Sequence, residues 1–528
     1  LSLSFVITIF ALLFSGNLLA QDIQSQALKF GRVLRLVDAF YADSANVAKL
    51  TENAIVDLLS KLDPHSVYIT KDEVEEMNQP LEGNFEGIGI SFNIIQDTLI
   101  VMTTIPGGPS EKAGLKPGDR IVRVGTKNIA STGIKTQDVF NLLRGNKGTV
   151  VNLRVIRNGE SAPIDFTIVR DKIPIFSLDA AFLLNKETAF VKLNRFSATT
   201  IEEYTNAIKK LEKSGRFKNL VLDLRGNGGG YLGAAYELAN QFLEANKLIV
   251  YTEGIHSPRK DYTSTSNGDF LKGNLVILID EGSASASEIV SGAIQDWDRG
   301  VIIGRRSFGK GLVQQPFALN DGSMIRLTTA HYYTPAGRNI QKPYKNTENY
   351  RNDYLNRYEH GELFNKDSIL MADSLMTTTL VTKRKVFGGG GILPDLFVPI
   401  DTSVHYTYFN TLVRKNIFTP YVVSYIDKNR KELLIKYHDF KSFRSNFAVP
   451  PAMIEELMVL GEKSGVKRDE ASVKILQKVI FRQIRALIAR DLYETGDYYR
   501  IMIEDDTEVK KALDLLSDPK AYARFLNR

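Results

Sequence analysis

The 528-residue chain contains no cysteine, which removes thiol nucleophiles, disulfides and thiolate metal sites at once. Histidine is scarce and scattered: His65, His256, His331, His360, His405 and His438 show no HxxxH or HxH spacing, so no zinc or other metal site is expected. The net charge of +6 is spread along the chain without a lysine–arginine tract. Nucleic-acid binding would call for a basic stripe with interleaved aromatics, and none is present. Beyond the first residues, no stretch reaches the ~18 apolar residues that cross a bilayer. What the chain does have is ordinary for globular protein, with 43% hydrophobic and 24% charged residues, and its length suggests roughly three or four domains.

The N-terminus carries an address. An apolar run from Phe5 to Leu13 is followed by Ser15-Gly16-Asn17-Leu18-Leu19-Ala20 and then the polar Gln21-Asp22. This pattern reads as a secretory signal peptide over residues 1–20 and implies export to the periplasm. An uncleaved membrane anchor is the alternative, and the exported protein is expected free in the periplasm or peripheral to the membrane.

Residues 24–82 are expected to be helical, with apolar spacing over Ala27–Tyr41 and Asn46–Leu62 and a stop at Leu62-Asp63-Pro64-His65. From Gly83 the pattern changes to short strands and turns. Gly87-Ile88-Gly89-Ile90-Ser91-Phe92, Leu99–Met102, Gly114-Leu115-Lys116-Pro117-Gly118-Asp119 and Arg120–Val124 come first. A helix over Thr136–Leu143 and strands Val150–Ile156 and Ile164–Val169 follow. This order resembles a PDZ domain over residues 83–172. The resemblance implies that the N–H groups of Gly87, Ile88, Gly89 and Ile90 hold a peptide's C-terminal carboxylate while the peptide adds a strand to the sheet edge. The bland alternative is an ordinary turn between strands.

Residues 173–400 alternate strands and helices, as an α/β core with a mainly parallel sheet does. Thr200-x-x-Glu203 reads as a capping box opening one of its helices. Helices are expected again over 401–528.

Three segments of the core hold candidate chemistry. Gly282-Ser283-Ala284-Ser285-Ala286-Ser287-Glu288 leads into an apolar-periodic helix, which puts Ser285 at a helix N-terminus where N–H groups point outward. Ser285-x-x-Glu288 is equally a capping box, and Ser283 and Ser287 compete for the role of nucleophile. Lys310, 25 positions after Ser285, lies in a glycine-rich turn between apolar runs, where desolvation would favour its neutral, basic form. Gly304–Lys310 also fits the first seven positions of a phosphate-binding loop, but Gly311 replaces the required hydroxyl residue and Pro316 marks a following strand. Asp223-Leu224-Arg225-Gly226-Asn227-Gly228-Gly229-Gly230 contains an outline of the dinucleotide fingerprint, with Glu253 further on. Its other reading is an oxyanion hole built from backbone N–H groups.

Together, these three segments resemble the carboxyl-terminal processing (tail-specific) serine proteases. Leu62-Asp63-Pro64-His65-Ser66, Thr328–Arg338 and Gly390-Gly391-Ile392-Leu393-Pro394-Asp395 add to the likeness. The resemblance implies a multidomain α+β protein in which a PDZ β-barrel-like domain precedes an α/β, crotonase/ClpP-like layered protease core, with helical regions at both ends. It assigns Ser285 as nucleophile, Lys310 as base and Gln314 as the residue steadying the lysine. Ala286 and either Gly229 or Gly230 would be the oxyanion donors. No cofactor is implied. The expected partners are proteins or peptides with free C-termini, with an adaptor protein or a second copy meeting the helical regions, which would form a cap or arm. Arg144 would gate the site by touching the protease domain. The rivals are a non-catalytic PDZ scaffold with a vestigial protease domain and a nucleotide-dependent enzyme.

Overall fold

The computed structural model describes residues 3–527 except Gln96, Ser266 and Val404, and the side chains of residues 1–21 are not described. The expected signal peptide over residues 1–20 therefore lies outside the described side chains. Among the described residues no helix is long and apolar enough to cross a membrane. The chain forms two compact units, residues 1–74 with 314–328, and residues 75–313 with 329–528.

In the first unit, helix Leu3–Phe40 is followed by helix Val47–Ser60, whose N-cap Asn46 accepts from Lys49 N–H at 3.0 Å. The proline stop does more than end this helix. Asp63 accepts the N–H groups of His65 and Ser66 at 2.8 and 2.9 Å and the Ser66 hydroxyl at 2.6 Å, folding the chain back. Strand Val67–Ile69 then pairs antiparallel with Met324–Arg326, so the segment is not wholly helical as expected.

The second unit begins with the β-rich stretch 84–174. Strands Ile90–Ile95, Thr98–Thr104, Arg120–Val124, Val150–Ile156 and Ile164–Val169 form one sheet in that order, with Ile90–Ile95 at an edge. Leu99, Val101, Ile121, Leu153 and Val155 turn inward against helix Thr136–Leu143. Asn84–Gly87 pairs with Asp171–Pro174 and closes the base of this stretch.

A six-stranded sheet follows. Leu178–Leu183 runs antiparallel to Thr188–Leu193, and the parallel strands Asn219–Asp223, Asn274–Ile279, Val301–Gly304 and Leu396–Phe397 come next in order. Asn219–Asp223 is buried along its whole length and Asn274–Ile279 nearly so, because both faces of the sheet are covered. One face packs on helices Thr200–Ser214, Leu232–Asn240 and Ala286–Asp296 through Tyr204, Leu238 and Val290.

Residues after 400 are helical as expected, but the other face of the sheet shows that not all of them form a cap or arm. Val509, Leu515, Leu516 and Tyr522, from helices Thr507–Ser517 and Pro519–Phe525, pack on Phe190, Val221, Val276 and Leu278. A sheet with two apolar faces needs two layers, and the last two helices are the second one. Residues 406–502 build a separate helical core around Leu412, Phe443, Leu457 and Ile484. The expected capping box at Thr200 is also absent. The N-cap is Thr199, and the Glu203 carboxylate instead receives Ser177 N–H and Leu178 N–H at 2.8 and 2.9 Å, pinning the entry to the sheet.

Candidate active site

The serine segment leaves the end of strand Asn274–Ile279 and enters helix Ala286–Asp296 through a strained corner. Ser285 has φ 55° and ψ −110°, a region that side-chain-bearing residues rarely occupy and that is found where a surrounding network enforces it. Asp280 provides part of that network, accepting Gly226 N–H at 2.8 Å and Gly282 N–H at 3.0 Å. The three serines are not equivalent. Ser283 is buried and its hydroxyl donates to Leu224 O at 2.9 Å; Ser287 is buried and donates to Asn227 O at 2.9 Å. Ser285 alone of the three is partly exposed.

The capping box forms as the sequence suggests, with Glu288 accepting Ser285 N–H at 2.7 Å. The carboxylate does far more than cap. It also accepts Lys310 N–H at 2.9 Å, Gly309 N–H at 2.7 Å and the Ser307 hydroxyl, so the serine corner and the lysine turn share one buried anchor. Burial pushes the Glu288 carboxyl above its usual range, against the pull of these donors. A second anchor is Tyr332, whose hydroxyl reaches Ser285 O at 3.0 Å and also Lys310 O. Sequence reasoning treated Glu288 only as a cap and Tyr332 only as part of a supporting motif. The signal for Glu288 was its place in the first turn of the serine helix, while nothing local pointed to Tyr332.

Lys310 is partly buried. Behind its turn, Lys342 N–H donates to Gly309 O at 2.9 Å, and the Lys342 ammonium lies 3.7 Å from the Phe308 ring centre and 4.4 Å from that of Tyr350. Burial lowers the pKa of Lys342, opposed by its pairing with Asp353.

The glycine segment reaches the same place. A Cβ on Gly229 would come within 2.8 Å of Ser285 Cβ and 3.0 Å of Ala286 N, and its φ is +99°, so glycine is required here by both space and backbone. Gly229 N–H donates to Asn227 Oδ1 at 2.9 Å. Among the described residues, the N–H groups of Gly230 and Ala286 meet no protein acceptor. Gly230 is fixed from behind, because Phe196 N–H bonds Gly229 O and Tyr231 N–H bonds Phe196 O, both at 2.9 Å. Beneath the segment, Arg225 joins Asp223 at 2.7 Å and Asp506 at 2.8 Å.

Of the sequence-derived candidates, Ser285, Ala286, Gly229 and Lys310 are thus linked within one unit. Gln314 belongs to the other unit, where its amide donates to Thr328 Oγ1 at 3.2 Å and that hydroxyl to Asp63 Oδ1 at 3.1 Å. The peptide-carboxylate candidates lie in the β-rich stretch. Ile88 O and Gly89 O accept Ser110 and Ile105 N–H at 3.0 Å each, while the N–H groups of Ile88 and Gly89 meet no protein acceptor among the described residues. Gly87 closes the paired strand Asn84–Gly87, and Ile90 opens the edge strand. Arg144 stacks on Phe140 at 4.3 Å and Phe85 at 5.4 Å, its backbone beside Gly87. These ring contacts are inside the β-rich stretch, not on the α/β core. Among the described residues there is no cluster of side chains suited to a metal ion.

Comparison with known proteins matches residues 187–348 to the sequence model of peptidase family S41, residues 100–157 to that of the PDZ domain, and residues 408–494 to a family of unknown function. The carboxy-terminal-processing protease of Bartonella bacilliformis is 35% identical over 325 residues, 61% of this chain and 74% of the relative. The carboxy-terminal processing protease CtpB of Bacillus subtilis is 34% identical over 321 residues, 60% of this chain and 65% of the relative. A solved photosystem II D1 C-terminal processing protease shares 30% identity over 60% of this chain and 90% of that one, with a TM-score of 0.34.

Proposed function

This chain belongs to the carboxy-terminal processing proteases of peptidase family S41 and carries a PDZ domain, and from that premise we propose that it hydrolyses peptide bonds with Ser285 as nucleophile and Lys310 as general base. The observation that carries this reading is the shared anchoring of the two residues. Glu288 and Tyr332 bind the backbones of both, while the hydroxyls of Ser283 and Ser287 are committed to carbonyls.

In this scheme the neutral Lys310 amine takes the Ser285 proton as Oγ attacks the peptide carbonyl, and the developing oxyanion is met by N–H groups of Ala286 and Gly230. Gly229, whose N–H is bound to Asn227, shapes the hole rather than donating to it. The tetrahedral intermediate expels the amine, which takes the proton from Lys310, and water resolves the acyl-enzyme by the same steps. Gln314, two strand repeats beyond Lys310, is assigned to steady the amine.

We assign residues 83–172 to the PDZ domain, 173–400 with the last two helices to a crotonase/ClpP-like layered core, and Gly87–Ile90 to the carboxylate of a free, unstructured substrate C-terminus. The edge position of Ile90–Ile95 supports this, since an edge strand accepts a peptide as an added strand. Arg144, whose backbone lies beside Gly87, is assigned to couple that carboxylate to the protease site. The apolar run after Phe5 supports export to the periplasm. The exposed Ile23, Leu28 and Phe40 of the first helix favour a protein partner there, an adaptor or a second copy.

The test compares the wild type with Ser285→Ala, Lys310→Ala, Ser283→Ala and Ser287→Ala on an unfolded protein with a free or an amidated C-terminus. Loss of cleavage in the first two variants alone is expected. Undiminished cleavage by Ser285→Ala would overturn the dyad, and equal cleavage of both tails would overturn the PDZ assignment.

A further inference from the structure

We infer that the protease core carries a second binding site, remote from Ser285, for an apolar molecule with a single anionic head such as an aliphatic carboxylate. A cavity of about 490 Å³ opens at the far end of the serine helix, within the size range of small-molecule sites. Ser285 lies at the N-terminus of that helix and Gln295, on the cavity floor, near its C-terminus, a separation of roughly 15 Å along the axis. An occupant therefore leaves the serine corner open.

Polar and apolar groups share the lining about equally, and Ile369, Met371, Val386, Phe387, Phe397 and Phe525 supply apolar wall. The floor is ionic but closed. Asp395 accepts Ile302 N–H at 2.8 Å, Arg384 at 2.6 Å and Gln295 at 3.1 Å, and Arg384 also pairs with Asp298 at 2.7 Å. Two carboxylates share the one guanidinium, so the floor offers no uncompensated positive charge to an anionic head.

The mouth is different. Lys366, Lys385 and Arg524 line it and are exposed, and among the described residues none has an ion-pair partner. Among the described residues, the only acidic side chain lining the cavity besides the satisfied Asp395 is the exposed Asp373. Apolar walls over a self-paired ionic floor, under a mouth with two positive charges in excess, suit an apolar body with an anionic head. A neutral amphiphile leaves the cations without a partner, and a cationic one meets repulsion. Each methylene buried in the walls should tighten binding about fourfold.

The test is calorimetric titration of the full chain with decanoate, decanol and decyltrimethylammonium, which reads binding and is independent of proteolysis. Expected are one saturable site for decanoate, at least tenfold weaker binding of decanol, and none of the cation. Octanoate should bind roughly fifteenfold more weakly than decanoate. Lys385→Glu/Arg524→Glu should weaken decanoate at least tenfold, and Met371→Trp, which fills the cavity from its wall, should abolish binding. Absence of saturable binding below about 1 mM overturns the inference. So does equal affinity for decanol, or binding that both variants leave intact, which would put the ligand elsewhere, for example in the PDZ groove.

Discussion

Ser285 and Lys310 hang from one oxygen. Oε2 of Glu288 accepts the N–H of Ser285 at 2.7 Å and that of Lys310 at 2.9 Å, although the two residues are 25 positions apart. The helix that begins after Ser285 thus fixes the lysine turn through the side chain in its own first turn.

Glu288→Gln should therefore damage both turns. The amide keeps one acceptor oxygen and turns a donor toward two of the four groups that Glu288 now binds. Unsatisfied buried donors cost about 1–3 kcal/mol each, so a loss of roughly 2–4 kcal/mol is expected in urea unfolding. Activity of the folded fraction should fall at least a hundredfold in kcat, with KM little changed. Tyr332→Phe, which removes the other bridge, should show the same kcat-led pattern in a milder form.

Gly229→Ala probes the oxyanion segment. Its methyl would stand 2.8 Å from both Ser285 Cβ and Ala284 O, at a φ of +99°. Strain of about 1–3 kcal/mol is expected, together with a drop in kcat of ~10²–10³, because the displaced segment moves the Gly230 donor out of place. Steady-state kinetics alongside thermal unfolding would separate the two effects. Wild-type kcat in this variant would show that the segment is not in the hole.

The last two helices should behave as core. Leu515 and Leu516 are almost wholly buried against the central sheet, so Leu516→Ala should cost about 2–5 kcal/mol in denaturant unfolding. Removal of residues 507–528 should leave the sheet face bare and the protein aggregated, where a detachable arm would leave a soluble enzyme.

Asp223 predicts an acid-dependent contribution to stability. Burial alone would raise its pKa, but the charges of Arg225 and Lys192 outweigh that and hold it below the usual 3.8. A folded pKa below the unfolded one means that the unfolded chain binds the proton more readily. The contribution is then fully present above the unfolded value and disappears as pH falls through the folded one. The stability gap between wild type and Asp223→Asn should be largest at neutral pH and shrink steadily below pH ~4, as measured by urea unfolding at each pH.

Much of the site could be read locally. The small-residue turn at Ser285, the glycine run at 228–230 and the lysine turn at 310 each have a sequence signature tied to a backbone requirement, such as a helix N-terminus or a positive φ. The alternating strands of the β-rich stretch and its helix at Thr136–Leu143 were legible for the same reason, since period and turn residues are properties of neighbours in the chain. Local reading failed where a side chain had two available partners. Thr200-x-x-Glu203 has the letters of a capping box, yet Glu203 binds the N–H groups of Ser177 and Leu178 because the fold brings a strand entry to it.

The sequence by itself determined the protease family, the order of β-rich and α/β parts, and the three segments that carry the chemistry. Only the tertiary structure decided which serine keeps an uncommitted place at the surface, because Ser283 and Ser287 are distinguished by carbonyls some sixty residues away. It also decided that Glu288 and Tyr332 bind the serine corner to the lysine turn, and that the final helices cover the second face of the sheet. Each of these depends on partners distant in sequence. A residue's neighbours in the chain set its backbone, but burial and hydrogen bonding set its role, and those exist only once the distant segments have met.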